Sequence, residues 1–294
     1  MVDLIPFFEI NLKNEKKITS MCLGPNGLLY VCDYMNHCIK VFDMFGNFQF
    51  SFGSEESKNG QLHDPCKLCF SPDGLLYVCD SWNDHIQVFD QNGIFKFKIG
   101  SLFPVHAMSS GPNGLLYIFM EIFNHFHVFD QDGNLKFKFD LYSEKIGQFK
   151  CIGEMCFGPN GLLYICDSRN NRIQVFDQNG HFKFKFGSKG EKNGQFLYPE
   201  GLCFGPNDLL YICDSYNRRI QIFDQDGEFQ FQFEFNPKRH KDDLLYFGSN
   251  GLLYAYDSLK QQIKVFQHLK LRSLYQILAF DLFKVKENKK RKFF

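Results

Sequence analysis

Apolar residues along this chain come in two kinds of short run. One kind alternates with charge: Phe95, Phe97 and Ile99 are separated by Lys96 and Lys98, and Phe182, Phe184 and Phe186 by Lys183 and Lys185. A period of two places successive side chains on opposite faces of a strand, so each such run is a strand with one face packed and one face wet. Lysines on that wet face also guard an outer edge against pairing with other chains. The other kind is continuous. Gly-Leu-Leu-Tyr or a close variant begins at Gly27, Gly74, Gly114, Gly161, Asp208 and Gly251, with spacings of 47, 40, 47, 47 and 43 residues. Self-similarity at that period, with several short strands and turns in each unit, marks a blade array. Six units predict an all-β, six-bladed β-propeller of four-stranded antiparallel blades.

The fifth unit shows the grammar. Residues 199–204 form a first strand, Gly205-Pro-Asn-Asp208 a turn, and residues 209–214 a second strand. A loop at 215–219, a third strand at 220–224, the turn Gln225-Asp-Gly227 and a fourth strand at 228–233 complete it. The Gly-Pro-Asn-Gly and Gln-Asn-Gly turns supply the positive φ that tight hairpins require.

These residues carry a family resemblance. Asp33-Tyr-Met-Asn36-His37-Cys-Ile-Lys-Val-Phe, Asp80-Ser-Trp-Asn83-Asp-His-Ile-Gln-Val-Phe and their counterparts at Asp167 and Asp214 resemble the core of the NHL repeat. The segment Phe186-Gly-Ser-Lys-Gly-Glu-Lys-Asn-Gly-Gln-Phe-Leu-Tyr-Pro199 is similar to the loop that joins blades in that family. The resemblance runs from about Ile18 to Phe266 and implies the propeller fold; family members serve as protein-binding, RNA-binding and occasionally enzymatic modules. Many carry the propeller at the end of a tripartite-motif or RING ubiquitin ligase, which implies a role in target choice, although this sequence contains no RING, B-box or coiled-coil heptads.

The chain divides into an N-terminal strand (1–17), six blades (18–276) and a C-terminal extension (277–294). Its 294 residues carry 33 basic and 33 acidic side chains, so no global field gathers DNA, RNA or an anionic membrane. The N-terminus lacks the basic start and apolar run of a signal peptide, and no stretch is long enough to span a bilayer, so the expected location is cytoplasmic. The basic tail at 284–292 adds the nucleus as an alternative. Two segments compete to close the ring: 7–10, and 269–276, which aligns with the fourth strand of other units.

Eight of the eleven cysteines fall in two repeated slots, Cys22, Cys69, Cys156 and Cys203 on first strands and Cys32, Cys79, Cys166 and Cys213 on second strands. If Gly24 pairs with Gly27, Cys22 faces Leu29, and Cys32 lies about 10 Å away on the opposite face, outside disulfide reach. Buried thiols in a reducing compartment are the expectation.

Repetition separates frame from function, because a residue present in most units serves the blade. The Asp33 and Asn36 slots are therefore turn-forming groups, and Asp130-Gln-Asp-Gly133 is a hairpin turn, since the ligands of a calcium loop do not follow. The loops between second and third strands vary instead, and place Met35, Trp82, Ile122, Arg169, Tyr216 and Leu259 in one slot. Exposed apolar and aromatic groups on a rigid frame suit a protein partner. The same face offers Arg169, Arg172, Arg218, Arg219, Lys189 and Lys192 beside Tyr216, the chemistry of a single-stranded RNA site, although Arg172 and Arg219 stand where the family resemblance itself implies Arg and so also read as frame residues. The third unit departs most, with Met120 for Asp and with His125 and His127 on one strand face, a weak metal or titration site.

The starts of the first strands converge on a channel mouth, where Thr19, Cys66, His106, Gly153, Glu200 and Asp243 form one ring with Ser20, Lys67 and Glu154 a residue further on. Glu200, Asp243, Glu154 and His106 are weak candidates for a divalent cation of the kind that six-bladed lactonases hold. The reading with most support is a non-enzymatic scaffold without cofactor that binds a protein partner. RNA binding and a metal-dependent hydrolase are the alternatives.

Overall fold

The computed structural model describes residues 8–12, 17–100, 105–120, 124–140, 149–205, 208–235, 244–248, 251–257 and 260–267. Within them lie six four-stranded antiparallel sheets, as the six motifs predict. Blade 1 comprises Ile18–Leu23, Leu29–Asp33, Cys38–Phe42 and Phe48–Phe52. Blade 2 comprises Pro65–Phe70, Leu76–Asp80, His85–Phe89 and Phe95–Ile99. Blade 3 runs through Val105–Ser110, Leu116–Met120, His125–Phe129 and Leu135–Asp140. Blade 4 is Ile152–Phe157, Leu163–Asp167, Arg172–Phe176 and Phe182–Phe186, and blade 5 is Pro199–Phe204, Leu210–Asp214, Arg219–Phe223 and Phe229–Glu234.

Blade 6 takes Leu244–Phe247, Leu252–Asp257 and Gln262–Gln267 from the chain's end and its outer strand from the start. Phe8–Asn11 pairs antiparallel with Gln262–Gln267, Phe8 opposite Val265 and Asn11 opposite Gln262. The competing segment 269–276, the extension 277–294 and its basic tail lie outside the described residues.

The core consists of six seams between neighbouring blades rather than one interior. Second strands are buried along their whole length, and their alternate residues face opposite neighbours. Leu29 and Val31 pack against Tyr254 and Ile263 of blade 6, whereas Tyr30 and Cys32 pack against Leu76 and Phe89 of blade 2. That is why these runs are continuously apolar: both faces are inside. The alternating outer strands close each seam with one face only. Phe52 meets Phe89 with ring centroids 5.0 Å apart and Phe186 meets Phe223 at 5.2 Å, while Lys96, Lys98, Lys183 and Lys185 stay exposed.

The motif tyrosine of blades 1, 3 and 4 ties a seam. Tyr30 donates its hydroxyl proton to the Gln91 carbonyl of blade 2 at 2.6 Å, and Tyr117 and Tyr164 do the same to Gln178 and Gln225 at 2.9 and 2.7 Å. The face that carries the invariant turns is therefore a set of inter-blade clamps.

One register differs from expectation. Gly27, at φ 75°, adds a residue to the first hairpin, so Gly24 N–H donates to the Leu28 carbonyl and Cys22 pairs with Tyr30, not Leu29. Cys22 and Cys32 thus share a face as diagonal neighbours. A diagonal pair is still about 7–8 Å apart, beyond easy bridging, and all eleven thiols are free.

Candidate interaction face

The variable loops rest on a buried carboxylate. In blade 5, Asp214 is 0% exposed and accepts hydrogen bonds from Leu197 N–H (2.7 Å), Asn217 Nδ2 (2.9 Å), Arg219 Nε (2.8 Å) and Gln221 Nε2 (3.1 Å). Asp167 repeats the pattern with Lys150 N–H, Asn170, Arg172 and Gln174, and Asp80 with His63 N–H, Asn83, His85 and Gln87. In blades 1 and 6 the cation comes from a lysine instead: Lys40 lies 3.0 Å from Asp33 and Lys264 3.7 Å from Asp257. The repeated Asp is more than a turn former, since it joins three segments and fixes the inter-blade loop against the loop above it. Burial raises both Asp80 and Asp214, yet bonds from His85, His63 N–H and Asn83 hold Asp80 below the ordinary range; in Asp214 burial prevails and the carboxyl sits above it.

Two residues after the slot stands a left-handed residue in every blade: His37, Asp84, Asn124, Asn171, Arg218 and Gln261, with φ between 52° and 57°. The turn it closes is short and stiff, and lifts the preceding side chain off the sheet. Met35 is 48% exposed, Trp82 68% and Tyr216 40%. Arg169 is exposed too, with Nε donating to the Tyr198 hydroxyl at 3.2 Å. Tyr198 in turn lies 5.3 Å from Tyr216, which draws Arg169, Tyr198 and Tyr216 into one patch across blades 4 and 5. Trp82 stacks on His63 at 5.1 Å with 18° between ring planes. Ile122 and Leu259 lie outside the described residues.

The basic candidates split. Lys189, Lys192 and Arg218 are exposed. Arg219 is buried, with its guanidinium spent on Asp214, Gln232 and the carbonyls of Lys192 and Gln195, and Arg172 Nε is bound to Asp167 at 2.7 Å. These two arginines are frame residues. A cavity of about 490 Å³ opens beside Arg219, lined by Tyr216, Arg218 and Arg219 but also by Glu191 and Glu234.

Blade 3 explains its own departure. Where Met120 replaces the buried Asp, the positions that elsewhere hold cation and glutamine carry His125 and His127, whose Nε2 atoms are 2.8 Å apart and whose rings stack at 4.7 Å. Burial, the Lys138 ammonium and the second imidazole hold His127 down at about 4, so its ring is neutral near pH 7 and shares a hydrogen bond with His125.

At the channel mouth, the ring residues sit on β-bulges that re-aim them toward the next blade: the register shifts between Ile18 and Met21, Pro65 and Lys67, Val105 and Ala107, Ile152 and Met155, and Pro199 and Leu202. Thr19 Oγ1 donates to the Pro65 carbonyl at 3.1 Å, and His106 Nε2 lies 2.6 Å from the Ile152 carbonyl. A Cβ on Gly153 would stand 2.6 Å from the Glu200 carbonyl, so only glycine fits there. Lys67 of blade 2 reaches across to pair with Glu154 of blade 4, with Glu200 also acting on its ammonium. Glu154 thus has the Lys67 ammonium as its partner, and His106 is turned to a carbonyl; Asp243 lies outside the described residues. Deeper in, the first strands enclose a cavity of about 230 Å³ lined by Ser20, Cys69, Met108, Glu154 and Tyr246 among others.

With this geometry in view, four segments match a family model, the NHL repeat, over residues 17–42, 62–89, 149–176 and 196–223. The chain carries NHL repeats. The matches cover blades 1, 2, 4 and 5, the four with both the buried Asp and its Asn partner three residues on. Comparison with curated protein sequences gave no match. Among solved structures, the NHL propeller is similar to selenomethionine-substituted virginiamycin B lyase from Staphylococcus aureus, at 17% identity over 85% of this chain and 81% of that one, with a TM-score of 0.61. Hydrazine synthase from Kuenenia stuttgartiensis aligns at 14% identity over 86% and 84%, TM-score 0.63. The WD40 β-propeller domain of Doa1 aligns at 14% over 86% and 79%, TM-score 0.60. At such identities the likeness is one of fold. Among the described residues no helix is long and apolar enough to cross a membrane.

Proposed function

We propose that this NHL propeller is a non-enzymatic interaction scaffold that seats a protein partner on its variable face. The observation that carries the reading is the shared slot in which Met35, Trp82 and Tyr216 stand 48%, 68% and 40% exposed on loops pinned by buried aspartates. Large exposed side chains held rigid lose little entropy on binding, which is what interface anchors require. Arg169 and Tyr198 extend that surface, and arginine and tyrosine are favoured interface residues. Target selection for a ubiquitin ligase is the finer reading suggested by family resemblance.

RNA is the second reading, supported by Arg169, Arg218, Lys189 and Lys192 around Tyr216. Glu191 and Glu234 in the neighbouring cavity, and the frame duties of Arg172 and Arg219, weigh against it. A hydrolase or lyase reading finds Glu154 and His106 already engaged at the channel mouth.

The test is a crosslinking pull-down from cells, analysing protein and RNA, with wild type and a Trp82→Ala, Tyr216→Ala double variant of matched circular dichroism. Specific proteins lost in the variant support the scaffold. RNA recovered by wild type and lost in the variant replaces it with nucleic-acid binding, and unchanged partners reject the face.

A further inference from the structure

The seam between blades 1 and 2 carries a second constellation on the variable face. His37, Glu55 and His63 bring one potential ligand atom each to within 4.8 Å of one another. They come from three places in the chain: the left-handed residue after the Met35 turn, the inter-blade loop, and the position two residues before the first strand of blade 2.

The internal repeat says what each position does for the fold, and what is extra here. In the seam between blades 4 and 5, the slot of His37 holds Asn171, whose Oδ1 accepts the Tyr198 N–H at 3.0 Å. His37 Nδ1 accepts the corresponding Asp64 N–H at 3.1 Å. Asparagine is thus sufficient for the frame, and histidine adds a second ring nitrogen, Nε2, that the frame does not use. Glu55 occupies the slot of Lys189, since both form the same isolated parallel bridge, to Leu62 and Phe196 respectively. His63 occupies the slot of Leu197, as both N–H groups bind the buried Asp of their blade. Three positions that are asparagine, lysine and leucine in one seam are imidazole, carboxylate and imidazole in the other.

We propose that this trio binds one divalent cation of the zinc class. Two imidazoles and a carboxylate are the donor set such ions take, with water completing the shell. Ligand atoms of a tetrahedral zinc stand about 3.3 Å apart, so the trio has to contract by about 1.5 Å. Glu55, 67% exposed at its side chain and 3.9 Å from His37 Nε2, is the arm that closes. A second shell is present. His37 Nδ1 lies 3.2 Å from Asp64 Oδ1, so a metal on Nε2 moves the ring proton to Nδ1, which releases the Asp64 N–H and donates to that carboxylate instead, and Tyr34 donates to Asp64 Oδ2 at 2.9 Å. His63 is fixed from both sides, edge-on to His37 at 4.9 Å and stacked under Trp82.

Trp82 is the chain's single tryptophan and lies against a ligand, so its emission reports the site. The experiment titrates tag-free, chelator-treated full chain with Zn2+ by calorimetry and by tryptophan emission, then repeats it with Co2+ and reads the visible absorption. Expected are one ion per chain, a change in Trp82 emission that saturates at the same stoichiometry, and cobalt bands of a four- or five-coordinate site. His37→Asn, which restores the frame residue of blade 4, weakens binding by at least the 10- to 100-fold typical of losing an outer-shell partner, and Glu55→Gln and His63→Leu do likewise. Zn2+ affinity equal in wild type and His37→Asn, or binding with no response of Trp82, overturns the proposal. The reading is independent of the protein partner, because His37→Asn leaves Met35, Trp82 and Tyr216 in place.

Discussion

Replacing Asp214 by alanine tests whether the buried aspartates hold the interaction face. The carboxylate is fully buried and takes four hydrogen bonds between 2.7 and 3.1 Å, one of them from Arg219, which is 8% exposed. Removing it leaves Leu197 N–H without its acceptor and a guanidinium whose charge is balanced only by neutral oxygens of Gln232, Lys192 and Gln195. Breaking a buried pair from one side costs about 3–5 kcal/mol, the loss expected here in urea unfolding at constant m-value. The chain itself suggests the rescue. Blade 3 does without the Asp by carrying methionine there and two histidines at the donor positions, so Asp214→Met with Arg219→His and Gln221→His copies a solved arrangement. That triple variant is expected to recover at least half of the loss. Hydrogen exchange supplies the link to function, because Leu197 N–H is the tie that holds the loop beside Tyr216, and it should exchange faster in Asp214→Ala and slowly again only where the loop is re-anchored. A loss below about 1 kcal/mol for Asp214→Ala would refute the reasoning, as would equal instability of the single and triple variants.

The remaining predictions concern other parts of the ring. His127, held at about 4 in the folded chain, takes a proton in the unfolded chain near 6.5, so stability falls as pH drops through that window; His127→Gln flattens the melting temperature against pH over the same range, and an unchanged slope counts against a neutral His127. Tyr164→Phe removes a 2.7 Å inter-blade bond to Gln225 and should cost about 1 kcal/mol in denaturant unfolding. The Cys66 thiol is lowered by its bond with Cys79 and by the Lys67 ammonium, whereas burial pushes Cys69 up to about 12, so iodoacetamide near neutral pH marks Cys66 ahead of Cys69 by peptide mass spectrometry, and Lys67→Gln slows it.

Most of the architecture was legible because each blade repeats the same solution. Period-two Phe and Lys fixed the outer strands, and Gly-Leu-Leu-Tyr fixed the doubly buried second strands. The register of the first hairpin was misread by one residue, since a positive φ at Gly27 lengthens the turn without any change in its residues. The seaming roles of Thr19, His106 and Gly153 were hidden for a related reason: they depend on β-bulges, which alternation alone does not reveal. Arg172 and Arg219 read both as RNA contacts and as frame residues, and only the fold decides for the frame, because their partners, Asp167 and Asp214, lie five residues away, across the loop.

Sites are harder to see than blades because the ring brings together residues that no local pattern connects. His37 and His63 are 26 positions apart, and each alone is an unremarked substitution in its repeat. Closure of the seam puts their rings 4.9 Å apart. The signal in the sequence was present but differential: His37 where another unit has Asn171, His63 where it has Leu197, Glu55 where it has Lys189. The same comparison, applied to Met120, His125 and His127, leads to a compensated frame, because there the two histidines satisfy each other. The difference between the cases is spatial. In blade 3 the odd residues replace one another's missing partners, whereas at the first seam the metal-free ring makes the frame bond from Asp64 N–H through Nδ1 and adds Nε2 to it. A departure that preserves the frame and adds a donor is the kind that points to a ligand, and one that merely repairs the frame is not.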